Sequence, residues 1–109
     1  MKHGGDFIDS LNRVLGQSYT TSTLSVSQMA ARMRISERQL QRRVKALTGL
    51  SPKQYLRRYR LEQSLVYLRD GVPVGEVAKA AGFSSHAYFT SCFKAEFGAT
   101  PSRFQQGCR

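Results

Sequence analysis

The chain has 109 residues and carries 17 Lys+Arg against 7 Asp+Glu, a net charge of +10 at pH 7. That length predicts one domain, or two very small modules sharing a core, and so large a charge points to a polyanion, nucleic acid ahead of an acidic membrane surface. A hydrophobic content of 40% suits a small core and argues against wholesale disorder, no apolar run approaches the roughly 20 residues that span a bilayer, and residues 1–25 lack the apolar block of a signal peptide.

The elements read as helices in chain order. Phe7, Ile8, Leu11, Val14 and Leu15 fall on one face of a first helix. Ser25 opens a capping box with Gln28, and Val26, Met29, Ala30 and Met33 follow at 0, 3, 4, 7 spacing. Ser36 opens a second box, with Gln39 at the third helical position. Leu40, Val44 and Leu47 form that helix's apolar stripe, and Gly49 suits the left-handed residue that ends it. Ser51-Pro52 starts a fourth helix, because proline at the first turn gives up no needed N–H. It runs from about Pro52 to Arg69, roughly 27 Å. Tyr55, Leu56, Tyr59, Leu61, Leu65, Val66 and Leu68 cover much of its circumference, so both flanking halves should dock on it. Tyr55, Tyr59 and Tyr67 are expected in the core or at its edge. Gly71 and Pro73 mark its end. No stretch has convincing two-residue alternation, so no sheet is expected.

The chain then repeats itself. Val26-x-x-Met29-Ala30-x-x-Met33 matches Val74-x-x-Val77-Ala78-x-x-Ala81 at an offset of 48. Leu40-x-x-x-Val44-Lys45 matches Phe89-x-x-x-Phe93-Lys94 at an offset of 49, as Gly49-Leu50-Ser51-Pro52 matches Gly98-Ala99-Thr100-Pro101. One residue is therefore added in the second turn, near Gly82-Phe83-Ser84. Each copy is a short helix, a tight turn, a longer helix and Gly-x-(Ser/Thr)-Pro opening another: a helix-turn-helix unit, present twice. The implied plan is residues 1–22 as a leading segment and first helix, 23–50 as the first unit, 51–71 as a linker helix, and 72–109 as the second unit with a terminal helix.

Charge is concentrated in the first copy. Arg32 to Arg60 holds ten basic residues opposed only by Glu37, a net +9, whereas Val72 to Gln106 carries +1. On the helix after Ser36, Leu40, Val44 and Leu47 lie within about 60° of one another. Arg38, Gln41, Arg42 and Lys45 sit opposite, again at 0, 3, 4, 7 spacing. Arginine forks match guanine edges in a major groove, and glutamine can pair with adenine. Arg32, Arg34, Ser36, Arg43, Lys45 and Lys53 are better placed for phosphates, which fix register without reading sequence. The equivalent face of the second copy is Ala87, Thr90, Ser91 and Lys94, with His86 just before. Ala87 or Thr90 can touch a thymine methyl, while Ser85 and Lys94 complete the phosphate set.

Cys92 and Cys108 are too few for a disulfide framework or a four-ligand zinc site. They are read as reduced thiols in a cytoplasmic protein, with Cys92 partly buried and Cys108 free. No metal or other cofactor is expected. The acids Asp6, Asp9, Asp70 and Glu76 have no His or Cys partner at catalytic spacing, and no glycine loop cradles a phosphate, which argues against an enzyme.

The combined motifs resemble the DNA-binding domain of AraC/XylS-type transcription regulators. The resemblance is carried by Ser36-x-x-x-Leu40-x-x-x-Val44-Lys45-x-x-x-Gly49-x-Ser51-Pro52 and Arg60-Leu61. The second copy adds Val77-Ala78-x-x-Ala81-Gly82-Phe83-Ser84-Ser85 and Tyr88-Phe89-x-x-x-Phe93-Lys94-x-x-Phe97-Gly98-x-Thr100-Pro101, and about residues 22–106 are covered. It implies an all-α fold of about seven helices, with two recognition helices entering successive major grooves of double-stranded DNA. It also implies base contacts from Arg38, Gln41 and Arg42, then from His86, Ala87, Thr90 and Ser91. RNA polymerase is the implied protein partner, with no membrane involved. Lys45-Ala46-Leu47-Thr48-Gly49-Leu50-Ser51-Pro52 further resembles versions fused to two-component receiver or hybrid sensor proteins. The chain is accordingly expected to be an output domain separated from a sensor or receiver domain. This chain has Ser91 where the family often has Arg, Ser64 where it usually has Ala, and Pro73 where a polar cap is common. The alternative is an RNA-binding or non-specific nucleic-acid packing module, which needs charge but not two repeated reading heads.

Overall fold

The computed structural model describes residues 3–108 and contains seven helices, with no strand among the described residues. They are α1 (His3–Ser18), α2 (Val26–Met33), α3 (Glu37–Thr48), α4 (Pro52–Arg69), α5 (Val74–Ala80), α6 (His86–Phe97) and α7 (Pro101–Gly107). No helix among the described residues is long and apolar enough to cross a membrane.

Local chemistry sets the helix ends. Ser25 accepts from Gln28 N–H while the Gln28 side chain accepts from Ser25 N–H, which closes the expected box at α2. Ser36 accepts from Gln39 N–H, but the reciprocal bond is absent, so the second box is only half formed. A full box occurs instead at Ser51 and Gln54, at the head of α4. Ser85 and Thr100 cap α6 and α7 with a single bond each, accepting from Tyr88 N–H and Arg103 N–H. α5 is preceded by Pro73, which has no side-chain acceptor, so this helix alone among α2–α7 lacks a side-chain cap bond.

Two hydrophobic clusters meet at α4. The first gathers α1, α2 and α3 around Leu11, Leu15, Met29, Leu40 and Val44, and α4 contributes Leu56. The second gathers α5 and α6 around Val77, Phe89 and Phe93, with Leu61 and Leu68 from α4 and Phe104 packed alongside. α4 is therefore buried on more than one side, as its composition predicts. Two expected core members are not covered. Leu47 is 45% exposed and Val66 is 51% exposed, because no element lies over those ends of their helices' apolar stripes. Ser64 is fully buried and donates to the carbonyl of Leu61 at 2.5 Å, so its hydroxyl is satisfied inside its own helix.

A polar junction joins the two clusters. The Nε of Arg60 donates to the carbonyl of Tyr19 at 2.9 Å, and its Nη2 donates to the carbonyl of Thr21 at 2.7 Å. Burial lowers the pKa of this guanidinium from its usual value. The hydroxyls of Tyr19 and Tyr67 share a hydrogen bond of 2.9 Å, and the Tyr19 ring meets Tyr59 edge-on at 5.5 Å. Burial, then this shared hydrogen bond, pushes the Tyr19 pKa up to about 12.

Candidate nucleic-acid interface

Each helix-turn-helix is built the same way. α2 ends at Arg34 in the left-handed region, and Ile35 N–H bonds back to the carbonyl of Ala30 at 3.1 Å. Gly82 takes the matching position after α5 with φ 90°, and Phe83 N–H bonds to the carbonyl of Ala78 at 3.0 Å. The turns correspond residue for residue until Ser84, the added residue, which precedes the cap Ser85. Arg34 is the one non-glycine residue with positive φ among those described. Such a residue needs its surroundings to hold it, and the Ile35–Ala30 bond does so here.

On α3, Arg38, Gln41, Arg42 and Lys45 are all exposed. The Lys45 ammonium donates to the carbonyl of Gly49 at 3.0 Å and so closes the C-terminal end of α3. Gln41, Arg42 and Lys45 border a concave surface of about 600 Å³ that continues through Ser51, Pro52 and Lys53 to the first turn of α4. Lys53 also lies on a saddle of about 270 Å³ between the modules, with Arg57, Ser22, Ser84 and Tyr88. Arg57 and Tyr88 were not singled out by sequence position. Tyr88 is 44% exposed and faces this saddle.

Arg32, Arg34 and Arg43 meet elsewhere. With Arg13 of α1 they line a groove of about 500 Å³ in which Asp6 is the one acid. Arg43 lies about 140° round α3 from Arg38, and its guanidinium stacks 4.1 Å above the ring of Phe7. Two cations of the basic stretch are otherwise occupied. Arg60 is held inside the junction, and Arg58 lies 3.8 Å from Glu62 and 3.9 Å from Glu96 in exposed pairs.

On α6, His86, Ala87, Ser91 and Lys94 are exposed and Thr90 is half-buried. The cap Ser85 uses its oxygen to accept from Tyr88 N–H, which leaves its hydroxyl proton free to donate, as Ser36 does at α3. Cys92 is partly buried and Cys108 exposed, as the sequence suggests. No group of three potential metal ligands occurs among the described residues.

Two exposed helix faces, each presented by a capped helix-turn-helix and both carried by one long helix, define a class of double-headed helix-turn-helix domains. A profile of the helix-turn-helix domain family matches residues 29–107. The chain is 34% identical over 92 residues to the transcriptional activator RhaS of Escherichia fergusonii, a match covering 84% of this chain and 33% of RhaS. The AraC-type transcriptional regulator structure from Chromobacterium violaceum superposes with a TM-score of 0.79 at 25% identity, covering 92% of each chain. The C-terminal domain of the two-component response regulator yesN from Fusobacterium nucleatum gives 0.78 at 25% identity, covering 87% of this chain and 93% of that one. The DNA-binding domain of AdpA, solved with a target DNA, gives 0.78 at 28% identity, covering 90% and 91%. The chain belongs to the AraC-type family of helix-turn-helix DNA-binding domains. It spans about a third of the length of the curated relatives it matches.

Proposed function

We propose that this chain reads sequence in double-stranded DNA for a transcription regulator, with α3 and α6 in successive major grooves of one DNA face. The observation that carries the reading is the pair of exposed helix faces built by the same capped turn. A body 42 Å long is large enough to present both to grooves about 34 Å apart.

In this reading Arg38, Gln41 and Arg42 contact base edges from α3. His86, Ala87, Thr90 and Ser91 do so from α6. Lys45, Lys53, Ser36, Ser85 and Lys94 hold phosphates, joined from the saddle by Arg57. Arg32, Arg34 and Arg43 serve the backbone beyond the first module. Serine hydroxyls at helix N-termini donate to phosphate where unpaired N–H groups and the helix dipole already favour an anion. Lysines and arginines there displace condensed counterions, which makes affinity strongly salt-dependent.

The regulator's remaining parts follow the relatives' names. A receiver or sensor domain would control this output domain, as in the response regulator yesN. Activation, as named for RhaS, would work by positioning RNA polymerase.

Selection from a random duplex library, followed by a salt titration on the enriched sequence, tests the function. A defined duplex motif should emerge, and its affinity should fall steeply with salt. Equal affinity for a single-stranded RNA competitor, or duplex binding without any motif, would instead favour a general nucleic-acid packing module.

A further inference from the structure

We propose that Tyr19, Arg60 and Gly82 form a lock that sets the angle between the two modules, and so the separation of the two half-sites. The inference rests on the DNA-reading function above and names the residues that fix its spacing.

The two hydrophobic clusters share only α4, so burial alone leaves their relative rotation to one helix. The lock supplies the missing constraint. Tyr19 follows directly on α1, whose last turn holds its N–H against the carbonyl of Leu15 at 2.7 Å. Its carbonyl is the point on which the second module seats. A Cβ at Gly82 would come within 2.0 Å of the Tyr19 carbonyl oxygen and 2.9 Å of Arg60 Nε. Real Cβ atoms do not approach backbone that closely, so the α5–α6 turn can rest there only as glycine. Arg60 braces the same carbonyl from α4 and holds the Thr21 carbonyl beside it.

Tyr19 also spans the boundary along α4. Its ring packs on Tyr59, which borders the first cluster, and its hydroxyl reaches Tyr67, which borders the second. Gly82 stands four residues before His86, where α6 begins. A shift of the turn therefore moves the second reading helix directly. One base pair is about 3.4 Å along the duplex, so a displacement of that order trades one half-site separation for another. Arg60, Tyr19 and Gly82 touch no base in this scheme; they are positioning residues.

The test selects duplexes from a random library with the full chain, in parallel for wild type, Tyr19→Phe, Arg60→Lys and Gly82→Ala, with thermal melting alongside. Wild type should enrich two half-motifs at one separation. Tyr19→Phe keeps the carbonyl and the ring and should retain that separation. Arg60→Lys cannot brace both carbonyls from one fork. It should enrich the same two half-motifs at several separations and bind the wild-type spacing about ten-fold more weakly, the loss of one well-placed base contact. Gly82→Ala should do the same where it folds, and Arg60→Lys decides where it does not. An Arg60→Lys protein that melts cooperatively and still enriches the single wild-type separation overturns the lock and leaves the spacing to α4 alone. A wild-type chain that enriches no duplex motif overturns the DNA reading, and the lock with it.

Discussion

Arg34 and Gly82 occupy the same place in their two turns, with φ of 61° and 90°. At Gly82 the neighbouring carbonyl excludes any side chain. At Arg34 the same backbone carries a long cation into the groove beside α1. The modules diverge in this way throughout. The first has a mostly aliphatic core, with Phe7 its one buried ring, and a reading face of two arginines, a glutamine and a lysine. The second packs Phe83, Phe89, Phe93, Phe97 and Phe104 into a chain of ring contacts 4.6–5.8 Å apart and presents small, mostly neutral residues outward. A backbone plan can thus be copied while interior and surface are chosen separately. Caps and turns fix the plan, volume fills the core, and charge decides what the surface attracts.

The largest effect should come from the aromatic core. Phe93 is fully buried and touches Phe89, Phe97 and Phe104. Phe93→Ala should cost about 3–5 kcal/mol, measured by urea unfolding. Hydrogen exchange should show the loss of protection concentrated in α5–α7. Equal loss across α2 and α3 would mean that the two clusters unfold as one and that the comparison holds only for their surfaces.

Next come the reading faces. Arg42→Ala should weaken specific DNA binding by about 1–3 kcal/mol and relax discrimination at one or two base pairs. Thr90→Ala should cost less, since a half-buried hydroxyl offers no bidentate fork. Competition binding with single-base variants measures both. A larger loss at Thr90 than at Arg42 would reverse the ranking of the modules.

A smaller effect tests the turns. Arg34→Gly should relieve a left-handed non-glycine residue and raise stability by about 1 kcal/mol, while lowering DNA affinity if Arg34 serves the backbone. A destabilised variant would show that the arginine side chain contributes more to the fold than its backbone costs.

The smallest effect concerns the junction at high pH. Tyr19 titrates near 12 when folded, against about 10 when unfolded. Between those values the folded chain keeps a proton that the unfolded chain has lost. The contribution is complete below about pH 10 and falls away as pH rises through that window. Urea midpoints of the wild type should therefore drop between about pH 9 and about pH 11, and Tyr19→Phe should show a shallower drop. Parallel curves would place the alkaline loss elsewhere, for instance at Tyr55, whose pKa burial also raises.

Much of the architecture was legible because its signals are local. Ser25 with Gln28, Gly49 after α3 and Pro52 at the head of α4 each act within one helical turn. The change of offset from 48 to 49 placed one added residue near Gly82-Phe83-Ser84, and the matching turn bonds at Ile35 and Phe83 narrow it to Ser84. Periodicity was less informative at Leu47 and Val66, because a stripe shows which side is apolar and not how far a neighbour extends over it. The charge count also misled at Arg60. A guanidinium looks solvated in sequence, and its two acceptors are carbonyls about forty residues away, in a loop with no distinguishing composition. Gly82 could have been marked as a left-handed turn residue from its place after α5. Its need to clear Tyr19 could not, since no sequence pattern links the two. For the reading face, spacing gave the exposed side of α3, whereas the saddle of Lys53, Arg57 and Tyr88 exists only once both modules dock on α4.

From the +9 of the Arg32–Arg60 stretch against +1 for Val72–Gln106, we infer that the first module supplies most of the binding energy and discrimination, while the second mainly sets the length of the site. The most direct measurement substitutes every base pair of a library-selected site in turn and measures competition affinity with the purified chain. Changes in the half facing Arg38 and Arg42 should cost about 1–3 kcal/mol each, and those in the half facing Ala87 and Thr90 should cost clearly less. Equal costs in the two halves would contradict the account.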